Sequence, residues 1–516
     1  MTTDWTSGYV ADIGYTFGYY NELNPLRAKL ALLNAGIAPP ENNGLNACHC
    51  ELGFGQGMSA NIHAAASATT WYGNDFNPTQ ASFAQSVARA SGAKAFLTDQ
   101  SFEEFCTRQD LPEFDSIGLH GIWSWISDQN RALIVDFIRR KLKVGGVLYI
   151  SYNTLPGWSS FAPIRHLMTQ HSMVMGSDGA GIVNRVNSAL SFAEKLVQTG
   201  SVFTKTNPQV ESRLEKLKDQ DRHYLAHEYF NKDWAPMYFS DMTRWLESSK
   251  MNFGCSAYYL DHVDTVNLTV EQQTLLKDTS NPVFKETVRD YLVNQQFRRD
   301  YWIKGARQLT ILEKMEALKA TEVILHAVAQ DVPMKVRGSL GEADLTPSIY
   351  KPILQLLSDL KPHPIGEIEK SLASEGLSLA NLIQAIVVLV GGGYLSEVQS
   401  NEHQIAAANQ CIKLNKHLMH LARGSNDINF LASPVTGGGV VVSRFHKLFL
   451  LALLEGHQSP NAWAQFVWET LQMQGQRLVK EGKSIETPEE NLAELTSNAF
   501  EFEQKRLPII KSLKII

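Results

Sequence analysis

Cysteine is scarce: five residues in a chain of 516, an odd number at scattered spacings, which excludes a disulfide framework. Cys48 and Cys50 flank His49, but residues two apart on a strand share a face and no second ligand pair follows. A buried strand with small apolar side chains accounts for them better than a metal. No uninterrupted apolar run reaches membrane-spanning length, and the start MTTDWTSGYVADIGY has neither the basic end nor the apolar core of a signal peptide. A soluble, cytoplasmic protein without membrane insertion is expected. Cations are not in excess either: 47 Lys plus Arg face 53 Asp plus Glu, a net charge of −6, so no global basic surface calls for nucleic acid. What is present is length and ordinary apolar content. Hydrophobic residues make up 44%, as in globular proteins, and 516 residues exceed a single core, so two to four domains are expected.

The most informative stretch is CHCELGFGQGMSANIHAAASATTWYGNDFN, from Cys48 to Asn77. It reads as a strand, a glycine turn over Gly53, Gly55 and Gly57, a helix of small residues from Met58, and a second strand ending at Asp75. That is the nucleotide-binding half of a doubly wound sheet, in which glycines admit the ligand to the backbone and the acid hydrogen-bonds ribose hydroxyls. A dinucleotide fingerprint places its third glycine where this chain has Met58, and Glu51 suits an ammonium group better than a pyrophosphate. Together these features favour S-adenosylmethionine (SAM), which carries an amine and a sulfonium and no phosphate. The glycine motif alone is unspecific, because any tight strand-to-helix turn can use glycines; Asp75 supplies the second indication.

The elements continue in βα order. A helix from Pro78 to Ser91 precedes a third strand ending near Asp99, Gln100, Ser101 and Phe102, placed to reach an adenine. The fourth strand, Phe114 to His120, delivers His120, Trp123 and Trp125 to the carboxyl edge of the sheet, where ligands bind. A helix from Gln129 to Leu142 leads to the fifth strand, Val147 to Ser151, and then to Tyr152 through Trp158 at the same edge. The order βαβαβαβαβ predicts a parallel sheet in an α/β fold. Strands six and seven are expected at Phe253 to Leu260 and Phe297 to Ile303, after a helical insertion. Aromatic residues gather before the glycine motif, among them Tyr15, Tyr19 and Tyr20; they either pack that segment onto the domain or close over a sulfonium cation, which tyrosine faces suit.

Beyond residue 308 the pattern changes. Glu322 to Arg337 alternates as strands do, and His363 to Val398 reads helix, turn, helix, three glycines and a short strand, an order resembling a winged helix. Its second helix, Ser378 to Val390, holds no Lys or Arg. Phosphate contacts need cations, so this module is expected to contact protein rather than DNA. The domains expected are 1–308, with a helical insertion at 159–235 and a regulatory-domain-like region at 218–300; a middle domain, 309–400; and a mainly helical C-terminal domain, 401–516.

With these residues in hand, the chain resembles bacterial class I SAM-dependent methyltransferases that carry a methyltransferase regulatory domain, and in particular bacterial protein lysine methyltransferases associated with outer-membrane proteins. The matching segments are Tyr19 to Pro25, Glu51 to Gly57, Gly73 to Pro78, His120 to Trp125, Ser151 to Trp158, Leu225 to Tyr229, Phe297 to Asp300 and Ser433 to Gly437. The resemblance implies a Rossmann-like seven-stranded catalytic domain, a dimerisation element in the insertion and hence a possible homodimer, and C-terminal domains that help hold a protein substrate. The expected chemistry is in-line attack of a nitrogen lone pair, best a neutral lysine amine, on the methyl of SAM, leaving S-adenosylhomocysteine. Alignment and desolvation do most of that work. His120, Tyr152 and Trp123 are the catalytic candidates. Tyr15, Tyr19, Tyr20, Glu51, Gly53, Gly55, Gly57, Asp75, Phe76, Asp99, Gln100, Ser101, Phe102 and His120 are the cofactor-binding candidates, and no metal is called for. A small-molecule acceptor and a non-catalytic SAM-binding scaffold are the alternatives.

Overall fold

The computed structural model describes residues 16–41, 44–176, 179 and 181–516. At its centre is a seven-stranded sheet of β1 (Cys48–Leu52), β2 (Thr70–Asn74), β3 (Ala95–Thr98), β4 (Phe114–Leu119), β5 (Leu142–Asn153), β6 (Met251–Ser256) and β7 (Phe297–Lys304), in the order β3-β2-β1-β4-β5-β7-β6. The first five strands pair in parallel, as the βα order predicts. β7 then inserts antiparallel between β5 and β6. The sheet is therefore mixed, because the helical connection from β6 to β7, Asp264–Asn267, Val270–Asp278 and Pro282–Leu292, returns the chain in the opposite sense.

Local chemistry sets the helices. In α1 (Pro25–Ala35) and α3 (Pro78–Ser91), proline stands in the first turn after an asparagine cap, Asn24 and Asn77, and glycine closes the last turn at Gly36 and Gly92. Between them, α2 (Met58–Ser67) is buried at all ten residues. Alanine and serine let it lie between the sheet and the long helix Asn401–Leu421 of the C-terminal region. α4 (Phe102–Cys106) begins with a capping box of Ser101 and Glu104, and α5 (Asp128–Lys141) is capped by Ser127. β5 begins at Leu142, which already pairs with Phe114, ahead of the Val147 start expected from the sequence.

The insertion forms a helical group, Ala162–Val174, Gly181–Gln198, Val202–Thr206, Gln209–Lys218 and Arg222–Tyr229, around its own core of Trp158, Phe161, Met168, Val186 and Leu214. Beyond the sheet, β8 (Glu322–Leu325), β11 (His363–Pro364) and β12 (Leu395–Glu397) form a three-stranded sheet, and between β8 and β11 the chain makes a separate hairpin, β9 (Lys335–Gly338) and β10 (Gly341–Asp344). The helices Ile365–Ser371 and Leu379–Gly391 stand where helix, turn, helix is expected. The second buries Leu382, Ile386, Leu389 and Val390 in a core. A hairpin of β13 (Phe430–Ser433) and β14 (Gly438–Val441) packs on α2. Among the described residues no helix is long and apolar enough to cross a membrane, and no His, Cys, Asp or Glu cluster could hold a metal ion.

Candidate active site

The glycine turn between β1 and α2 is tied to the end of β2. Gly53, Gly55 and Gly57 all have positive φ, at +70°, +57° and +68°, a conformation that side chains disfavour. Two glycines are also required by space. A Cβ on Gly57 would lie 2.5 Å from the Cβ of Ala84 on α3, and one on Gly73 would lie 2.6 Å from the carbonyl oxygen of Glu51. Asp75 closes the arrangement: one carboxylate oxygen accepts from Gly55 N–H at 2.9 Å and the other from Asn77 N–H at 3.0 Å. The side chain is only 7% exposed, and burial raises its pKa to about 6.

This turn forms one wall of a cavity of about 650 Å³. Gly53, Gly55, Asp75, Phe76, Ser101, Phe102, Tyr20 and His120, all named by the sequence, line it. So do Phe54, Gln56, Gln80, Asn130, Lys232 and Asp233, which sequence reasoning missed. Phe54 and Gln56 were legible as the variable positions of the glycine motif. Lys232 and Asp233 lie just beyond the matching segment Leu225 to Tyr229, whose polar and aromatic residues carry no indication of where they sit.

The far wall is a ring stack. Tyr20 lies over His120 with centroids 3.4 Å apart and planes 18° from parallel. His120 Nδ1 is 2.8 Å from the Tyr149 hydroxyl. Burial lowers the imidazole pKa to about 4, against the opposing pull of Glu22, so the ring is neutral at physiological pH. The same two rings line a second cavity, of about 560 Å³. Its other walls come from the sheet, at Phe297 and Arg299, and from the C-terminal region, at Glu397 and at Phe430, Gly438 and Gly439 of the β13–β14 hairpin. Glu22 also faces it. Burial pushes that carboxyl up, but Arg299, 2.6 Å away, and Arg27 outweigh burial and hold it below its ordinary value.

Other candidates stand elsewhere. Tyr152 is 1% exposed and donates its hydroxyl to Asp300 at 2.9 Å; neither it nor Trp123 lines either cavity. Trp123 is fully buried and donates its indole N–H to Met237 sulfur. Glu51 lies behind the turn, 2% exposed, beside the Ala60 N–H, and burial raises its pKa to about 8. Gly57 packs α2 on α3 instead of facing the cavity. Asp99 is exposed, and the Gln100 side chain is held by Thr98 and Arg108, its carbonyl accepting from Asn74. Tyr19 points to the second cavity and the C-terminal hairpin. Tyr15 falls outside the described residues.

Comparison with known proteins agrees with this geometry. Residues 221–304 match the family described as a predicted methyltransferase regulatory domain; they include β6, β7 and the helices between them. The chain is 39% identical over 513 residues to protein sll1526 of Synechocystis, covering 99% of both chains. It is 25% identical to protein RP789 of Rickettsia prowazekii over 95% of this chain and 92% of that one. Among solved structures, PKMT2 from Rickettsia typhi in complex with AdoHcy superposes with a TM-score of 0.70 at 16% identity, covering 97% of this chain and 100% of that one. At that identity the likeness establishes the fold. The chain therefore belongs to one family with the Synechocystis protein, a family with the class I methyltransferase fold and a methyltransferase regulatory domain.

Proposed function

We propose that the protein is a SAM-dependent methyltransferase whose acceptor is a nitrogen, specifically the amine of a protein lysine side chain. The observation that carries this reading is the pair of cavities meeting at the Tyr20–His120 stack. One is built around a glycine turn and a buried carboxylate, and the other opens toward the C-terminal region. A methyl donor and an acceptor must meet from two sides, and this wall is where the two spaces touch. The name and ligand of the Rickettsia typhi structure, PKMT2 with AdoHcy, agree with the reading.

The residues fit the cofactor chemically. Asp75 keeps lone pairs on both oxygens beyond its two backbone bonds and would hold the ribose hydroxyls. The positive-φ turn at Gly53 and Gly55 lets the backbone approach the methionine portion. Phe102 and Ser101, at the start of α4, are placed for the base. SAM, when bound, supplies a methyl group activated on a sulfonium that leaves readily. The chain's task is alignment and exclusion of water. With a pKa near 4, His120 is too weak a base to take the proton of an ammonium; it orients the acceptor, with its ring fixed between Tyr20 and the Tyr149 hydroxyl. The acceptor's proton leaves through the second cavity, where ionised Glu22 favours a cationic amine on approach and burial lowers the amine's pKa.

The domain division expected from sequence, 1–308, 309–400 and 401–516, is retained in this proposal, with the second and third domains forming the acceptor side. The test is incubation with labelled SAM and lysine-containing proteins, followed by mass spectrometry. Label on lysine side chains, lost when those lysines are acetylated beforehand, is the expected result. Turnover on free amines with no label on any protein would overturn the assignment to protein lysine.

A further inference from the structure

A triple-glycine run, Gly437 to Gly439, leads from β13 into β14 and takes no part in the reaction itself. It meets the active site at Tyr19. The Tyr19 hydroxyl accepts from Gly439 N–H at 2.7 Å across 420 positions of sequence. A Cβ on Gly438 would lie 2.5 Å from that hydroxyl and 2.7 Å from the amide nitrogen of Asn24; a Cβ on Gly439 would lie 2.9 to 3.0 Å from the Tyr19 ring. The ring also packs at 5.0 Å from Phe430 and 5.1 Å from His63. A few residues on, Asn24 donates its amide to the carbonyl of Thr436 at 3.1 Å. The C-terminal hairpin thus grips the segment at both ends.

Between these grips stands Tyr20. Its backbone N–H is bonded to the Ser59 hydroxyl and its carbonyl to His63, both on α2, while its ring covers His120. Neighbouring side chains in an extended segment point to opposite sides. Tyr19 enters the C-terminal region and Tyr20 falls on the imidazole, so a shift of one turns the other. We propose that Tyr19 is a positioning residue: its bond to Gly439 fixes the Tyr20–His120 wall, and the C-terminal hairpin thereby sets the boundary between the two cavities. The glycines at 438 and 439 are needed because the tyrosine ring occupies the space a side chain would take.

This rests on the cofactor reading only where affinity is measured. Two variants test it, Tyr19→Phe, which keeps the ring and removes the hydroxyl, and Gly439→Ala, which drives a methyl group into the ring. Histidine-selective NMR reads the wall directly: the resonance that vanishes in His120→Gln belongs to His120, and the Tyr20 ring above it gives that resonance a ring-current shift. Calorimetry with S-adenosylhomocysteine gives the functional effect. The expected result is that both variants relax the His120 shift and weaken the nucleoside by about fivefold, the worth of one lost hydrogen bond, with the larger change in Gly439→Ala. A melting temperature that falls while the His120 resonance and the affinity stay as in the wild type would reduce Tyr19 to a structural contact and overturn the proposal. A wild type that fails to bind the nucleoside would refute the cofactor reading alone, and the His120 resonance would still decide whether the tie exists.

Discussion

Asp75 gives the sharpest test of the donor site. Its carboxylate is 7% exposed and accepts two backbone N–H bonds, from Gly55 and Asn77, leaving one lone pair on each oxygen for ribose hydroxyls. Hydrogen bonds to a charged group are worth about 1.5–3 kcal/mol each. Losing two costs about 3–6 kcal/mol, at least a hundredfold in affinity. Asp75→Ala should therefore abolish measurable binding of S-adenosylhomocysteine by calorimetry, but it also strands two buried N–H groups at about 1–3 kcal/mol each and lowers stability. Asp75→Asn separates the effects. It keeps the shape, retains one carbonyl acceptor and turns an NH2 against the other N–H, so affinity should fall by an intermediate factor while most of the stability remains. The pH dependence supplies the second arm. Burial raises this carboxyl to about 6, above the ordinary carboxylate value near 3.9, so the empty site takes up a proton as pH falls through 6. Affinity should be full above about pH 7 and fall towards tenfold per unit below 6, with proton release on binding near pH 6. For folding the sign is reversed: a raised folded pKa contributes stability that is present below about pH 4 and lost as pH rises through 6. An affinity that stays flat from pH 5 to 8, or is unchanged in Asp75→Asn, would refute the ribose assignment.

Two further variants probe the frame. Arg298, with its side chain 5% exposed, bonds Asp290 at 2.7 Å, Glu286 at 2.9 Å and Asp300 at 3.0 Å; Arg298→Leu should cost about 3–5 kcal/mol in urea denaturation. Burial already raises Asp290 to about 7 despite that arginine, and losing the arginine raises it further, so the deficit should shrink as pH falls from about 9 towards 7 and the stranded carboxyls protonate in the variant first; a deficit independent of pH would refute the account. Gly57→Ala combines a φ of +68° with a Cβ 2.5 Å from that of Ala84, whereas Gly92→Ala has a φ of +69° and nothing within 4 Å. Both should lose about 1 kcal/mol to backbone strain, and only the first should lose a further 1–3 kcal/mol to overpacking; equal melting temperatures would show that α3 moves aside.

Much of the first cavity was legible because it is local. The glycine turn, α2, β2 and Asp75 lie within thirty residues, and each follows from a short-range rule: positive φ for glycine, small residues for a buried helix, a carboxylate at a strand end. α3 runs from Pro78 to Ser91, as its proline start and glycine stop require. The second cavity was not legible. Its walls are Phe297 and Arg299 on β7, Glu397 on β12, and Gly438 and Gly439 on β14, brought together by packing of the C-terminal region on α2, and nothing in the spacing of those residues announces that they meet.

The case of Tyr152 shows what kind of information was missing. Side chains along a strand alternate between faces, so in β5 Tyr149 and Ser151 share one face and Tyr152 takes the other. β7 repeats the division: Tyr149 is paired with Tyr301 and Ser151 with Arg299, whereas Tyr152 is paired with Arg298. The odd-numbered face carries the Tyr149 contact to His120 and the Arg299 pair with Glu22. The even-numbered face carries Arg298, Asp300 and the Tyr152 hydroxyl bond into the buried ion network. From sequence, both tyrosines are polar aromatics near the carboxyl end of a buried central strand, and the nearer one to that end attracts the catalytic assignment. Only the antiparallel return of β7, with Arg298 and Arg299 on opposite sides, decides which tyrosine reaches His120. A shift of one residue in that register would exchange the faces, placing Arg298 over the second cavity and burying Arg299 without its glutamate, so the ion pairs on the two faces of β7 hold the register that puts Tyr149 beside His120.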